Sequence, residues 1–307
     1  MPKIDIERTT VIDVPVGQVY DVLQDFNQWR PWSPWLILEP EVSVKVAEDA
    51  RYYEWEGQRV GQGNMSITDQ QAGRFIDYDL EFLKPFKSKA KVRFELQGQG
   101  EATTVTWYMD SSLPFFLFWM KKSMQTFIGM DYERGLTMLK EYLEKGTVNC
   151  QIEFKGESDF AGCTYVGIRH SGNTSAIATD MERDFAALTA FFAGRMDVVS
   201  APPLSLYHEF EPVKGNVDYT IAFPVISVPE PLPTGFISGS VPSLRVNTVR
   251  LVGSYRYIPN AWAAMNSLVQ NKVFKPAKGV PPMEVYVSNP QEVAEHELIT
   301  DIQFPVG

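Results

Sequence analysis

The sequence predicts an α+β chain of two domains: a curved antiparallel sheet gripping a long helix, then a duplicated strand–helix–strand–strand unit. Three observations carry this. The chain has 307 residues, and ordinary domains run ~100–200. The first half holds several segments of period-two alternation closed by one long helical pattern. The second half repeats one motif twice.

Residues 3–13 alternate as a strand. Asp13-Val14-Pro15 then opens a helix whose apolar residues Val19, Val22, Leu23 and Phe26 share a face, with proline near its first turn. In Trp29-Arg-Pro-Trp32-Ser-Pro-Trp35 the prolines at 31 and 34 forbid a long regular helix. From Arg74 to Phe82, Ile76, Tyr78, Leu80 and Phe82 fall on one face and Asp77, Asp79 and Glu81 on the other. Lys89 to Leu96 and Thr103 to Met109 alternate likewise. Such strands build an antiparallel sheet with one wet and one packed side. A helix over 115–145 is predicted from the stripe Leu117, Met120, Met124, Phe127, Leu136, Leu139 and Leu143, with Gly146 as its stop. Gly129 and Gly135 are candidate bends.

In the second half, Pro202-Pro203-Leu-Ser-Leu-Tyr207 with Phe223-Pro224-Val225 matches Pro281-Pro282-Met-Glu-Val-Tyr286 with Phe304-Pro305-Val306. Upstream, Tyr165-Val-Gly167 aligns with Leu251-Val-Gly253, and each is followed by a helical pattern: Ile177, Met181, Phe185, Leu188, Phe192 in one copy, and Trp262, Met265, Leu268, Val269, Val273 in the other. Two such units are expected to pair about a pseudo-twofold axis, because each alone exposes an apolar face. The Pro/Gly-rich segment from Pro229 to Pro242 reads as a loop linking the repeats. The domains span 1–146 and 150–307, with repeats at 151–228 and 243–307.

Charge narrows the function. Net charge is −10. Residues 1–146 carry 17 Lys/Arg against 22 Asp/Glu, and the remainder 11 against 16. With neither half basic, nucleic acid and an anionic membrane surface are not expected partners. Leu113-Pro-Phe-Phe-Leu-Phe-Trp-Met120 is the most apolar segment and is too short to span a bilayer, which takes ~20 residues, so no membrane insertion is expected. Cys150 and Cys163 form no CxxC pair, and the N-terminus lacks a signal-peptide core. A cytoplasmic setting follows. Neither GxGxxG nor GxxxxGK[ST] occurs, and Ser238 stands one place late for a nucleophile elbow. The three histidines lack HExxH spacing, so no metal and no cofactor are expected.

The Val14-Pro15 helix start, the Asp25-Phe-Asn-Gln-Trp29…Trp32-Ser-Pro-Trp35 segment and the Trp55-Glu-Gly57…Gly61-Gln-Gly63-Asn-Met65 turn resemble the SRPBCC superfamily of START-like, polyketide-cyclase-like lipid-binding domains. The resemblance implies a hydrophobic pocket, with Trp29, Trp32, Trp35, Trp55, Tyr78, Phe94 and Trp107 as candidate lining and Met120, Met124 and Met130 facing them. Ordinary core packing is the other reading of these rings. The ending Pro281-Pro-Met-Glu-Val-Tyr286-Val-Ser-Asn-Pro290…Glu297-Leu-Ile-Thr-Asp-Ile-Gln-Phe-Pro305 resembles the GyrI-like effector-binding domain, also found at the C-terminus of multidrug-sensing transcription regulators. That resemblance implies a ligand cleft on the pseudo-dyad with a glutamate projecting into it, by position Glu284.

The repeat sharpens the case for Glu284. Its counterpart is the uncharged Ser205, and Tyr207 and Tyr286, two positions on, share the faces of their strands. A carboxylate amid rings attracts cations or has a raised pKa; a solvated strand carboxylate is the alternative. Tyr255, Tyr257 and Trp262, near the second helix start, are candidate aromatic walls for a planar or cationic guest. The expected function is binding of a small, largely apolar molecule, cationic or electrophilic, in this cleft and in the first domain's cavity. The alternatives are a hydrolase with Glu284 as general acid/base and a protein-interaction regulator. Oligomeric state is open.

Overall fold

Alternating burial in the first half resolves into seven strands: β1 (Lys3–Ile12), β2 (Ser43–Val46), β3 (Tyr52–Glu56), β4 (Gln62–Gln71), β5 (Phe75–Lys84), β6 (Ser88–Gln99) and β7 (Ala102–Ser112). The computed structural model describes residues 2–307 and divides into two units, 1–148 and 149–307. The first unit's open antiparallel sheet has the order β1-β7-β6-β5-β4-β3-β2. Helix α1 (Val16–Leu23) starts after Pro15, which stands at the N-cap. Helix α2 (Lys121–Lys145) ends at Gly146, whose φ of 75° is left-handed and whose N–H reaches Tyr142 O at 2.8 Å. Only glycine takes that conformation without steric cost.

The predicted helix over 115–145 is corrected at its start. Phe115–Met120 is a separate 3-10 stretch in which Leu117 leaves helical geometry (φ −105°, ψ 16°). Phe127, placed in the apolar stripe, is exposed, and the large apolar side chains that α2 buries are Tyr132, Leu136, Met138 and Leu139. Gly135 allows close approach instead of a bend: a Cβ there would lie 2.8 Å from the Trp107 ring and 3.1 Å from Pro34.

The second unit holds β8 (Cys150–Phe160), β9 (Cys163–Asn173), α3 (Ile177–Phe192), β10 (Leu204–Glu211), β11 (Asn216–Val225), β12 (Phe236–Val241), β13 (Leu244–Gly253), α4 (Ile258–Gln270), β14 (Met283–Tyr286) and β15 (Ile299–Pro305). They form one eight-stranded sheet ordered β12-β9-β11-β10-β14-β15-β13-β8. Exchanging β8 with β12, β9 with β13, β10 with β14 and β11 with β15 reproduces that order read backwards. The sheet is therefore pseudo-twofold symmetric, with the axis between β10 and β14.

Two sequence expectations change here. Each repeat has one strand more than the strand–helix–strand–strand reading, and that strand is exchanged: β8 pairs with β13 of the other repeat, and β12 pairs with β9. The segment expected as a linking loop thus contains β12. The pairing also shifts the upstream alignment. Gly167 faces Ala222 and Thr248 faces Gln303, so Thr248, and not Gly253, is the equivalent of Gly167. The duplicated Phe-Pro-Val anchors fix this register.

Candidate functional site

The axis of the second unit passes between two residues that face each other directly. Ser205 on β10 pairs with Glu284 on β14. The Pro-Pro motifs close this seam reciprocally: Tyr207 N–H donates to Pro282 O at 3.0 Å, and Tyr286 N–H donates to Pro203 O at 2.9 Å. Proline lacks an N–H, so it ends the strand, but its carbonyl still accepts. This explains why each copy sets its tyrosine at the same distance from its prolines.

Glu284 is 2% exposed. Trp262 Nε1 donates to its Oε1 at 2.5 Å and Tyr286 Oη to its Oε2 at 2.6 Å. The Tyr207 hydroxyl stands near the same carboxylate. Ser205 Oγ lies 3.1 Å from Tyr286 Oη. Burial pushes the Glu284 carboxyl above its ordinary value, and Tyr286, Trp262 and Tyr207 offset only part of that. Burial and the neighbouring Glu284 push Tyr207 and Tyr286 well above theirs, so both hydroxyls keep their protons.

The helices supply the roof. Met181 and Trp262 are each the fifth residue of their helix. The Tyr207 hydroxyl points to Met181 Sδ at 3.6 Å, and the Tyr207 ring meets Trp262 edge-on with centroids 5.1 Å apart. Phe185 and Tyr255 meet Tyr286 in the same way, at 5.0 and 5.7 Å. Trp262, Tyr255, Met181 and Phe185 are all part-exposed. The structure therefore brings together Glu284, Tyr286, Tyr207, Trp262 and Tyr255. Tyr257 is buried at the start of α4 and is not among the carboxylate's donors. The helix pattern contained Met181 and Phe185, but their place at the axis emerges only from the pairing of the repeats.

In the first unit Trp32, Tyr78 and Trp107 are among the largest fully buried side chains, and Trp55 is buried. They belong to a continuous train of rings. Trp107 stacks on Tyr132 at 3.8 Å and on Phe94 at 4.7 Å, and Trp32 meets Trp29 at 4.7 Å. Tyr78 Oη and Trp29 Nε1 both donate to Leu23 O. The expected pocket is reduced to a void of about 50 Å³ lined by Trp29, Trp35, Trp55, Phe82, Trp107 and Tyr132. Trp32, Tyr78 and Phe94 do not line it. The indole N–H groups of Trp32 and Trp107 are buried without a partner. A void of this size has room for no more than a few waters, whereas small-molecule sites run ~300–1,000 Å³. A broader depression of about 550 Å³ lies on the polar face of the sheet, bordered by Glu7, Asp77, Arg93 and Tyr108. Arg93 and Asp77, cross-strand neighbours in its lining, form a bidentate pair with both bonds at 2.6 Å.

Sequence reasoning missed Glu39. It is 3% exposed and accepts backbone N–H bonds from Gln58 at 2.8 Å, Arg59 at 2.8 Å and Val60 at 2.9 Å. Burial pushes its carboxyl up, but these three donors and the Arg59 charge outweigh it, and the net position is below the ordinary value. Gly57 makes room, since a Cβ there would stand 2.4 Å from Glu39 Oε2. The Glu56-Gly57 turn was visible in sequence; its carboxylate partner, far upstream, was not.

Residues 3–144 match a family described as polyketide cyclase / dehydrase and lipid transport, and residues 158–307 match one described as a GyrI-like small molecule binding domain. A comparison with curated proteins gives no match. Among solved structures, the chain is similar to EcmrR in its complex with DNA, at 17% identity over 63% of this chain and 72% of that one, with TM-score 0.43. It is similar to the EcmrR C-terminal domain at 20% identity over 52% and 98%, TM-score 0.40. CalU16 from Micromonospora echinospora follows at 17% identity over 47% and 75%, TM-score 0.34.

Proposed function

We propose, from the premise that the chain is a polyketide-cyclase-like domain followed by a GyrI-like small-molecule-binding domain, that the second domain binds a planar, largely apolar cation over Glu284. One observation carries the reading: the carboxylate is excluded from solvent and each of its donors is neutral. An ionised carboxylate in such a place is costly unless a cation accompanies it. A guest with delocalised positive charge supplies that cation and stacks against the surrounding rings. The part-exposed rings of Trp262 and Tyr255 form the roof that must swing to admit it.

Titration of the full chain with a planar hydrophobic cation, such as ethidium, and a neutral compound of like shape tests this. Because proton and cation compete for one carboxylate, cation affinity should rise with pH through the raised value of Glu284, while the neutral compound shows no such rise. Glu284→Gln should weaken the cation by about 30-fold, the ~2 kcal/mol lower end for losing one partner of a buried charge pair. Equal binding of cation and neutral compound, or undiminished binding by the variant, rejects the reading. The raised carboxyl beside Tyr286 Oη also favours a second reading, hydrolysis of an electrophilic small molecule with Glu284 as general acid/base. That reading requires turnover by the wild type that Glu284→Gln loses while still binding.

A further inference from the structure

The first unit carries at one end a surface whose chemistry opposes that of the chain as a whole. The β5–β6 turn and the segment after β7 meet there. β6 begins at Ser88, Ala90 pairs with Ser111, and Ser111 Oγ donates to Lys89 O. The turn is Lys84-Pro85-Phe86-Lys87, and the segment after β7 runs Leu113-Pro-Phe115-Phe116-Leu-Phe118-Trp119-Met-Lys121-Lys122. Their rings face solvent: Phe86 is 81% exposed, Phe115 77%, Phe116 73%, Trp119 67% and Phe118 61%. Single exposed apolar residues are ordinary; five large rings at one end of a sheet are not.

Charge says what covers them. Residues 82–91 and 111–130 together hold six lysines (84, 87, 89, 91, 121 and 122) and no acidic residue, in a chain of net charge −10. Lys84 and Lys89 reach acids on other strands, Glu56 at 3.7 Å and Glu81 at 3.4 Å, and Lys91 pairs with Asp79. Exposed pairs of this kind bind weakly and exchange readily. Lys87, Lys121 and Lys122 form no ion pair among the described residues. A second copy of the chain would bring these lysines against themselves, and like charges across an interface are repulsive. An anionic bilayer surface satisfies both components at once: aromatic rings settle at the headgroup level, and lysines meet anionic lipid.

We infer that this end of the first unit docks on the surface of an anionic membrane, with Phe86, Phe115, Phe116 and Trp119 entering the interface and Lys87, Lys121 and Lys122 contacting headgroups. The net charge that argues against such a surface is an average over the chain, and charges more than a Debye length away, ~8 Å, are screened. No helix among the described residues is long and apolar enough to cross the bilayer, so the attachment is peripheral. Phe82, which lines the 50 Å³ void, pairs with Ser88 at the root of the same turn, so the docking end and the void share one strand pair.

Flotation of the full chain with phosphatidylcholine vesicles, with and without phosphatidylglycerol, tests the inference. The chain should float with the anionic vesicles at low salt, detach as salt rises, and stay behind with the neutral ones. Lys121→Gln and Lys122→Gln should each reduce partitioning by about fivefold. Phe115→Ser with Trp119→Ser should abolish flotation while the thermal midpoint holds, since both side chains are exposed; Phe86→Ser, on a separate segment, provides an independent loss. Absence of flotation with anionic vesicles at low salt overturns the proposal. So does flotation indifferent to lipid charge or to these substitutions, or ring-dependent dimerisation in place of vesicle binding.

Discussion

Glu39 in the first unit and Glu284 in the second both lie out of solvent against hydrogen-bond donors, yet their carboxyls sit on opposite sides of the ordinary range. The donors differ in kind. Glu39 is held by three consecutive backbone N–H groups with a guanidinium close by, beneath a turn at the surface. Glu284 is held by an indole and a phenol, with a second phenol close by, at the centre of a sheet, with no cation contributing. Depth and charge decide which form is favoured. A carboxylate held below its ordinary value stabilises its loop. One held above it is a standing cost that a cationic guest or a chemical role would explain.

The comparison can be broken most directly at Glu39. Glu39→Ala leaves three backbone donors without a partner and should cost about 3 kcal/mol or more, read from urea unfolding by tryptophan fluorescence. Six of the seven tryptophans lie in the first unit, so that signal follows the unit concerned. A loss under ~1 kcal/mol would show that the turn does not depend on the carboxylate. Next in size, Gly135→Ala drives a methyl against Trp107 and should cost about 2 kcal/mol by overpacking. A neutral result would mean that the ring-filled interior yields easily and could open for a guest.

At the axis the expected effects are smaller. Trp262→Phe keeps a ring but removes one donor, costing about 1 kcal/mol and raising Glu284 further. Its readout is a shift of the cation-affinity pH profile toward higher pH. Glu284→Gln should be close to neutral, or stabilising by up to ~1 kcal/mol at pH 7. The pH dependences sharpen the contrast. Glu39, held low, contributes fully above its ordinary 4.5, and its contribution fades as pH falls through the native value. Glu284, held high, costs nothing below 4.5; its penalty grows as pH rises through the native value. Unfolding free energy against pH should therefore lose its acid-side fall in Glu39→Gln and its rise-dependent loss in Glu284→Gln. Parallel profiles in the two variants would erase the distinction drawn here.

Periodicity and punctuation were enough to read β1, α1, β5, β6 and β7, the stop of α2 at Gly146 and the duplicated Pro-Pro…Tyr and Phe-Pro-Val anchors. Each depends on local stereochemistry or on the repeat comparing itself. Glu284 was singled out chiefly by the resemblance of the chain's ending to the GyrI-like domain, and the repeat added that its mate is the uncharged Ser205. The exchange of β8 and β12 between repeats was not legible, because an alternating strand is complementary to any free edge and only the whole sheet selects its partner. Nor was the near-filling of the first unit's interior, since the same rings can line a pocket or close it. What tertiary structure alone decided is how deep each carboxylate lies, how far its donors compensate, and which lysines gather beside which exposed rings. These quantities depend on residues distant in the chain, and no local pattern encodes them.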